Sequence, residues 1–293
     1  KMNKLFCIYF FFEILNIDKI NAKESYCQNK CEKDLKLSSI ETLNNTTKFI
    51  KLNNDNLVNI RGPILDSSID AFLTKLQKIP SNDVFIFINS PGGSVSEGIR
   101  FIQVMNSLNE SGKVIHCIVD KGASMAFIIF QSCSNRYIIE GSILMQHQIS
   151  GGGTGSIENL RNRMKLLDNI YLNLNKAQAE RLNLPLNNFL DKILSDWWMF
   201  DNEILDENAA DEKIKTICHS ELLKQKETLE YNSFLGIIKL TFSKCPLITE
   251  PSKIELKSEN EESFEKVNCD KTLKTIKENY LSFNKNIGYL YDL

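Results

Sequence analysis

Val114-Ile115-His116-Cys117-Ile118-Val119-Asp120-Lys121-Gly122-Ala123-Ser124-Met125-Ala126-Phe127-Ile128-Ile129-Phe130 is the stretch on which the fold turns. The apolar residues from Val114 to Val119 read as a buried strand. Lys121 to Ala126 follows as a tight turn of small residues, and Ala126 to Phe130 opens a buried helix. Ser124 therefore stands where a strand hands over to a helix N-terminus. The first N–H groups of a helix have no partner inside it, so they face any negative charge that develops beside the hydroxyl. Small neighbours let a substrate carbonyl come close. The stretch approaches the Gly-x-Ser-x-Gly elbow, with Ala126 in the last glycine place. A serine at a helix start is also an ordinary N-cap, and these residues alone do not separate the two readings.

The rest of the chain supplies company for Ser124. Upstream, the apolar run Phe85-Ile86-Phe87-Ile88 ends in Asn89-Ser90-Pro91-Gly92-Gly93-Ser94. A strand that stops at a Pro-Gly-Gly turn leaves backbone N–H groups exposed, and such groups can form half of an oxyanion hole. Downstream, Ile143-Leu144-Met145-Gln146 leads into His147, one of 3 histidines in the chain. Asp196 lies further on, between Ser195 and Trp197-Trp198, so the order is Ser, His, Asp.

Taken in order, Ile-Asn-Ser-Pro-Gly-Gly (88–93), Gly-Ala-Ser-Met-Ala (122–126), Met-Gln-His-Gln (145–148) and the Asp196 segment resemble the proteolytic subunit of the Clp protease family. The resemblance covers about residues 56 to 214. It implies Ser124 as nucleophile, His147 as general base and Asp196 as the residue that orients His147. It implies Gly93 and Met125 as oxyanion-hole N–H donors, and neither metal nor cofactor. The partners it implies are a peptide or unfolded polypeptide substrate and further copies of the chain in a ring, with two stacked heptamers as one form. Asp191 and Asp201 are neighbouring rivals to Asp196. His116, inside a strand pattern, and His219, outside the domain, are poor candidates for the base.

The alternation of elements agrees with that resemblance. Leu57, Val58 and Ile60 form a strand, and Ile69, Phe72, Leu73 and Leu76 recur at helical spacing. Strand 84–88, helix 95–108, strand 114–119, the helix behind Ser124, and strands 136–139 and 143–146 follow. This βαβ pattern predicts an α/β fold with a parallel sheet covered on both faces. The Clp and crotonase families share a spiral of repeated ββα units with such crossovers. Gly151 to Gly155 suits no regular strand, and in the Clp family the handle starts there. Helix 156–179 would be the projecting handle, with an apolar stripe of Leu160, Met164, Leu167, Ile170, Tyr171 and Leu174 for another subunit.

Outside this domain the expectations are plainer. The 293 residues carry a net charge of −2, which gives no basic face for nucleic acid. A basic start, an apolar run over Leu5–Leu15 and Ile20-Asn21-Ala22 lay out a secretory signal peptide over 1–22. The apolar run is short for a membrane span. That places the protein in the secretory pathway or outside the cell, with an organelle as the alternative, and with no membrane contact once the signal is removed. A polar segment spans 23–55, the catalytic domain 56–217, and a mostly helical, cysteine-containing extension 218–293. Of 8 cysteines, Cys7 would leave with the signal; Cys117 and Cys133 read as core, and the others as disulfide formers. Cys245 and Cys269 are candidates to staple the extension. Cys27 and Cys31 also have the spacing of half a zinc site, which no second close pair completes. Asn44, Asn45 and Asn109 fit the N-glycosylation pattern.

The chemistry is that of amide hydrolysis: a nucleophile, a base that titrates near neutrality, and stabilisation of the oxyanion. The expected activity is that of a serine endopeptidase. Some features depart from the family. Leu194-Ser195 replaces the charged pair before the aspartate, Trp197-Trp198 follows it, and no axial pore segment is recognisable. These argue against an ATP-driven unfoldase as partner. The alternatives are an inactive scaffold subunit of a mixed ring and, last, an acyl-CoA enzyme of the crotonase type.

Overall fold

The computed structural model describes residues 48–150, 154–233 and 236–257. The signal-like segment, Cys7, Cys27, Cys31, Cys269, Asn44, Asn45 and residues 258–293 of the extension lie outside them. In chain order the elements are β1 (Phe49–Leu52), β2 (Leu57–Arg61), α1 (Asp66–Lys78), β3 (Asp83–Ser90), α2 (Val95–Glu110), β4 (Val114–Ala123) and α3 (Met125–Gln131). They continue with β5 (Asn135–Gln146), α4 (Ile157–Arg181), α5 (Leu186–Lys192), β6 (Trp197–Phe200), α6 (Asn202–Asp206) and β7 (Glu212–Lys213). Last come β8 (Lys215–Cys218), α7 (Ser220–Lys224), β9 (Lys226–Ser233), β10 (Gly236–Ser243) and β11 (Lys253–Lys257). The expected α/β class stands.

The main sheet has the order β2-β3-β4-β5-β6, with β7 also paired to β5. Strands β2 to β5 run parallel and β6 runs antiparallel to β5. Alternation along the strands sorts side chains to two faces. Ile86 and Ile88, with Ile115, Cys117 and Val119, pack on α1, α2 and α3 in the larger core. Phe87, Ile118 and Tyr137 face the other way and are buried with Ile50, Leu52, Leu222 and Cys245. The chain thus seals the second face itself, with β1 paired to β8 and α7 above them.

Several expectations change. Residues 136–146 form one strand, β5, where two were expected; its pairing with β4 slips near Asp120, so a single strand carries two registers. β1 falls inside the stretch 23–55 that reads as an unpatterned lead. The described part of the extension is not mostly helical: α7 is short, and β9, β10 and β11 form an antiparallel sheet. Cross-strand pairs explain why: Lys239 faces Glu230 and Thr241 faces Thr228, whose hydroxyls lie 3.1 Å apart. Cys245 pairs at disulfide distance with Cys218 rather than with Cys269. Cys117 and Cys133 are core residues, as expected, but are also paired with one another. Asn109 Oδ1 accepts from the Ile115 N–H at 3.2 Å and from Ser134 Oγ at 3.2 Å.

Helix α4 leaves the domain. None of its residues before Asn175 is buried, whereas Asn175, Gln178 and Ala179 are. Its base is fixed by Arg181 and Arg136, which converge on Asp211. Burial works to raise the Asp211 carboxyl, but hydrogen bonds from Arg136 and the charge of Arg181 outweigh it and hold it low.

Candidate active site

Ser124 joins β4 to α3 with φ 55 and ψ −120, a backbone region that side-chain-bearing residues avoid. Its N–H donates to Met145 O at 2.9 Å and its carbonyl accepts from the Ile128 N–H at 3.3 Å, so both neighbours hold the elbow in place. The hydroxyl makes no capping hydrogen bond. The N-cap reading of Ser124 therefore fails on geometry, and the strained backbone presents an uncommitted Oγ.

The Pro-Gly-Gly turn lies directly against this elbow. A Cβ added to Gly92 would sit 2.5 Å from Ala123 O and 2.8 Å from both Met125 N and Ser124 Cβ. Gly93 is bracketed by one distant residue: the Ile64 N–H donates to Gly92 O at 2.8 Å, and the Ser94 N–H donates to Ile64 O at 2.9 Å. In a parallel bridge of this kind the middle residue turns its own N–H away from the bracket. Among the described residues neither the Gly93 nor the Met125 N–H finds an acceptor. Ile64 is the residue that sequence reasoning missed. Its only signal was Gly62-Pro63 just before it, a turn that ends β2.

His147 and Asp196 come together through strand register. β5 and β6 pair Met145 with Trp198 and Gln146 with Trp197, so the next antiparallel step sets residue 147 opposite residue 196. His147 Nδ1 lies 3.9 Å from Asp196 Oδ1, with the side chains 30% and 56% exposed. That distance exceeds a hydrogen bond, and among the described residues His147 and Ser124 are not hydrogen-bonded to each other. The His147 N–H donates to Gln146 Oε1 at 3.2 Å, and Gln146 reaches Gln178 at the base of α4. Catalytic hydrogen bonds are often long in a free enzyme and tighten with substrate.

Asp201, His116 and His219 are otherwise engaged. Asp201 binds Lys213 Nζ at 2.6 Å, and that hydrogen bond holds its carboxyl below the usual range. Asp191 lies on α5 and is exposed. His116 is stacked between Phe85 and Tyr137, with Asp83 and Asn135 each 3.0 Å from its nitrogens. His219 caps α7.

Asp120 shapes the approach to the turn. Ile88 pairs with Val119 and Asn89 with Lys121, so Asp120 is the extra residue of a bulge, and its Oδ2 accepts from Asn89 Nδ2 at 2.8 Å. Burial raises its carboxyl, against the pull of Lys121 and Arg61. A raised carboxyl binds its proton more tightly when folded, so stability falls as pH rises from the ordinary aspartate value through the raised one. Asp120→Asn keeps an acceptor for Asn89 and removes the titration. It should raise the melting temperature relative to the parent at about pH 8, with the gain shrinking toward about pH 3. Thermal scans across that range check the sign.

A sequence model of the Clp protease family matches residues 41–216. Curated relatives include the ATP-dependent Clp protease proteolytic subunit of Streptococcus suis (strain 98HAH33), 27% identical over 154 residues, which are 50% of this chain and 70% of that protein. The protein of the same name from Streptococcus thermophilus (strain ATCC BAA-491 / LMD-9) is 26% identical over 172 residues, 56% of this chain and 87% of that one. With the family model spanning more than half of the chain, and with the elbow, the Pro-Gly-Gly turn and the β5–β6 pairing all inside it, the chain belongs to the Clp protease family, a family of serine peptidases.

Proposed function

We propose that this chain is a serine endopeptidase acting on peptides or unfolded polypeptides, with Ser124 as nucleophile, His147 as general base and Asp196 as its orienting carboxylate. The observation that carries the reading is the uncapped hydroxyl of Ser124 on a strained backbone beside two unpaired amides. Ser124 Oγ attacks the peptide carbonyl as His147 takes its proton, and Asp196 stabilises the imidazolium. The Gly93 and Met125 N–H groups receive the oxyanion. His147 then returns the proton to the leaving amine, and water, activated by the same imidazole, releases the acyl group. Substrate binding has to shorten the 3.9 Å separation of His147 and Asp196 by about 1 Å, into hydrogen-bonding range. The test is labelling by a fluorophosphonate probe at Ser124, lost in Ser124→Ala.

That same 3.9 Å separation favours one other reading, an inactive scaffold subunit of a mixed ring. A parent protein that takes no label at Ser124 selects it.

The projecting part of α4 supports assembly. Ile157 is 69% and Met164 64% exposed, and helical spacing puts the exposed Leu167 on the same side of α4. An apolar strip on a projecting helix is covered by another copy, and the ring is the arrangement we infer. Mass photometry should give several multiples of the 33.6 kDa chain; a clean monomer at micromolar concentration removes the ring. The two cysteine pairs support an oxidising, secretory compartment.

A further inference from the structure

We propose that the sheet formed by β9, β10 and β11 is a brace that positions the oxyanion turn Gly92–Gly93, and that Arg61 is the positioning residue through which it acts. This rests on the assignment of Gly93 as an oxyanion donor made above. The brace lies beyond residue 216, where the family match ends.

The need for a brace follows from topology. Among the described residues β2 is an edge strand of the main sheet, paired on one side only. Past Arg61 the ladder stops at Gly62, with φ 77, and at Pro63, which has no N–H to give. The bridge of Ile64 to Gly93 is isolated and consists of two backbone hydrogen bonds. The Ile64 side chain is anchored in the main core, but two bonds are few to fix the direction of the backbone at a sheet edge. Yet an oxyanion donor must be held within a few tenths of an ångström of its working position.

The C-terminal sheet supplies what the ladder lacks. Arg61 ends β2 and its side chain is 5% exposed. Its guanidinium donates to Ile248 O at 2.9 Å and lies over the Phe242 ring at 4.4 Å, with Glu227 3.9 Å from Nε. Glu227 in turn accepts from Asn59 Nδ2 at 3.0 Å, which fixes the sheet to β2 a second time. Tyr231 covers Gly62 so closely that a Cβ there would lie 2.5 Å from its hydroxyl. The Gly62 N–H donates to Asn89 O at 2.9 Å, and two residues on is the Ile64 peptide that brackets Gly93. A guanidinium is costly to bury, and packing alone would be served by an apolar side chain. The hydrogen bond and the stack fix direction as well as distance.

The test compares parent, Arg61→Met and, from the other side of the contact, Phe242→Leu in the full-length protein. It reads hydrogen exchange of peptides covering 62–65 and 92–95, together with kcat and KM on a fluorogenic peptide. Arg61→Met should lower kcat by about 10²-fold at unchanged KM, the scale of a small misplacement of a catalytic group. Exchange should quicken in those two segments and not in β4 or β5. Phe242→Leu should move both readouts the same way by less, and it carries the test if Arg61→Met does not fold. Unchanged exchange in folded variants overturns the brace. Faster exchange with unchanged kcat overturns its role in positioning. A parent that neither labels at Ser124 nor hydrolyses peptide overturns the protease reading instead, and the positioning role with it.

Discussion

Ser124→Gly should abolish peptide hydrolysis and at the same time make the protein more stable. Loss of the nucleophile removes about 10⁴- to 10⁶-fold in rate, because the remaining groups of such a site have nothing to activate. The stability gain has a separate origin. Ser124 carries a Cβ at φ 55 and ψ −120, a conformation that costs about 1–3 kcal/mol. Glycine removes that cost and adds back about 0.5–1 kcal/mol of backbone entropy. The net expectation is about 1 kcal/mol, or about 2–4 °C in melting temperature. Ser124→Ala keeps the Cβ and so should lose the activity without the gain. A glycine variant less stable than the alanine variant would mean that the elbow is relaxed in solution. The case for Ser124 as a residue held in place for chemistry would then fail.

Gly93→Ala should damage both folding and catalysis. A Cβ at Gly93 would lie 2.3 Å from Ile64 O and 3.0 Å from Ile64 N, and φ is 147. Ile64 is fully buried, so its peptide cannot yield without breaking the two bonds that bracket the turn. We expect a loss of about 2–4 kcal/mol, the sum of strain and two broken hydrogen bonds. In whatever fraction folds, kcat should fall about 10²- to 10³-fold, the usual effect of losing one oxyanion donor. Gly112→Ala is the control. Its φ is 96 but a Cβ there meets nothing within 4 Å, so it should cost about 1 kcal/mol and leave kcat unchanged. Denaturant titration and steady-state kinetics on the three proteins separate these effects. If Gly93→Ala keeps its kcat, Gly93 is not a donor.

The alternation of strands and helices from Leu57 to Gln146 was legible because burial on two faces of a sheet writes period 2, and burial of one helix face writes a three-to-four-residue repeat. The Ser124 elbow was legible as small residues between two apolar runs. The meeting of His147 with Asp196 could not be read from local pattern, because it depends on β6 returning antiparallel after α4 and α5. Ile64 was invisible for a similar reason: its role is a pair of backbone bonds to Gly92 and Ser94, and backbone bonds leave no side-chain signature. The extension misled most. Lys226-Glu227-Thr228-Leu229-Glu230 has the charged composition of an exposed helix, and only its partner β10 makes it a strand.

The sealing of the second sheet face has a kinetic consequence for anything that would bind there. Phe87, Ile118 and Tyr137 are covered by Leu222 and Cys245 of the same chain, with Cys218 and Cys245 at bonding distance. A newcomer must therefore displace an intramolecular rival that never diffuses away. Short tethers set effective concentrations in the millimolar range, far above those at which free proteins meet. Access to that face is governed by how often the tethered cover lifts, and raising the concentration of a visitor cannot speed it beyond that.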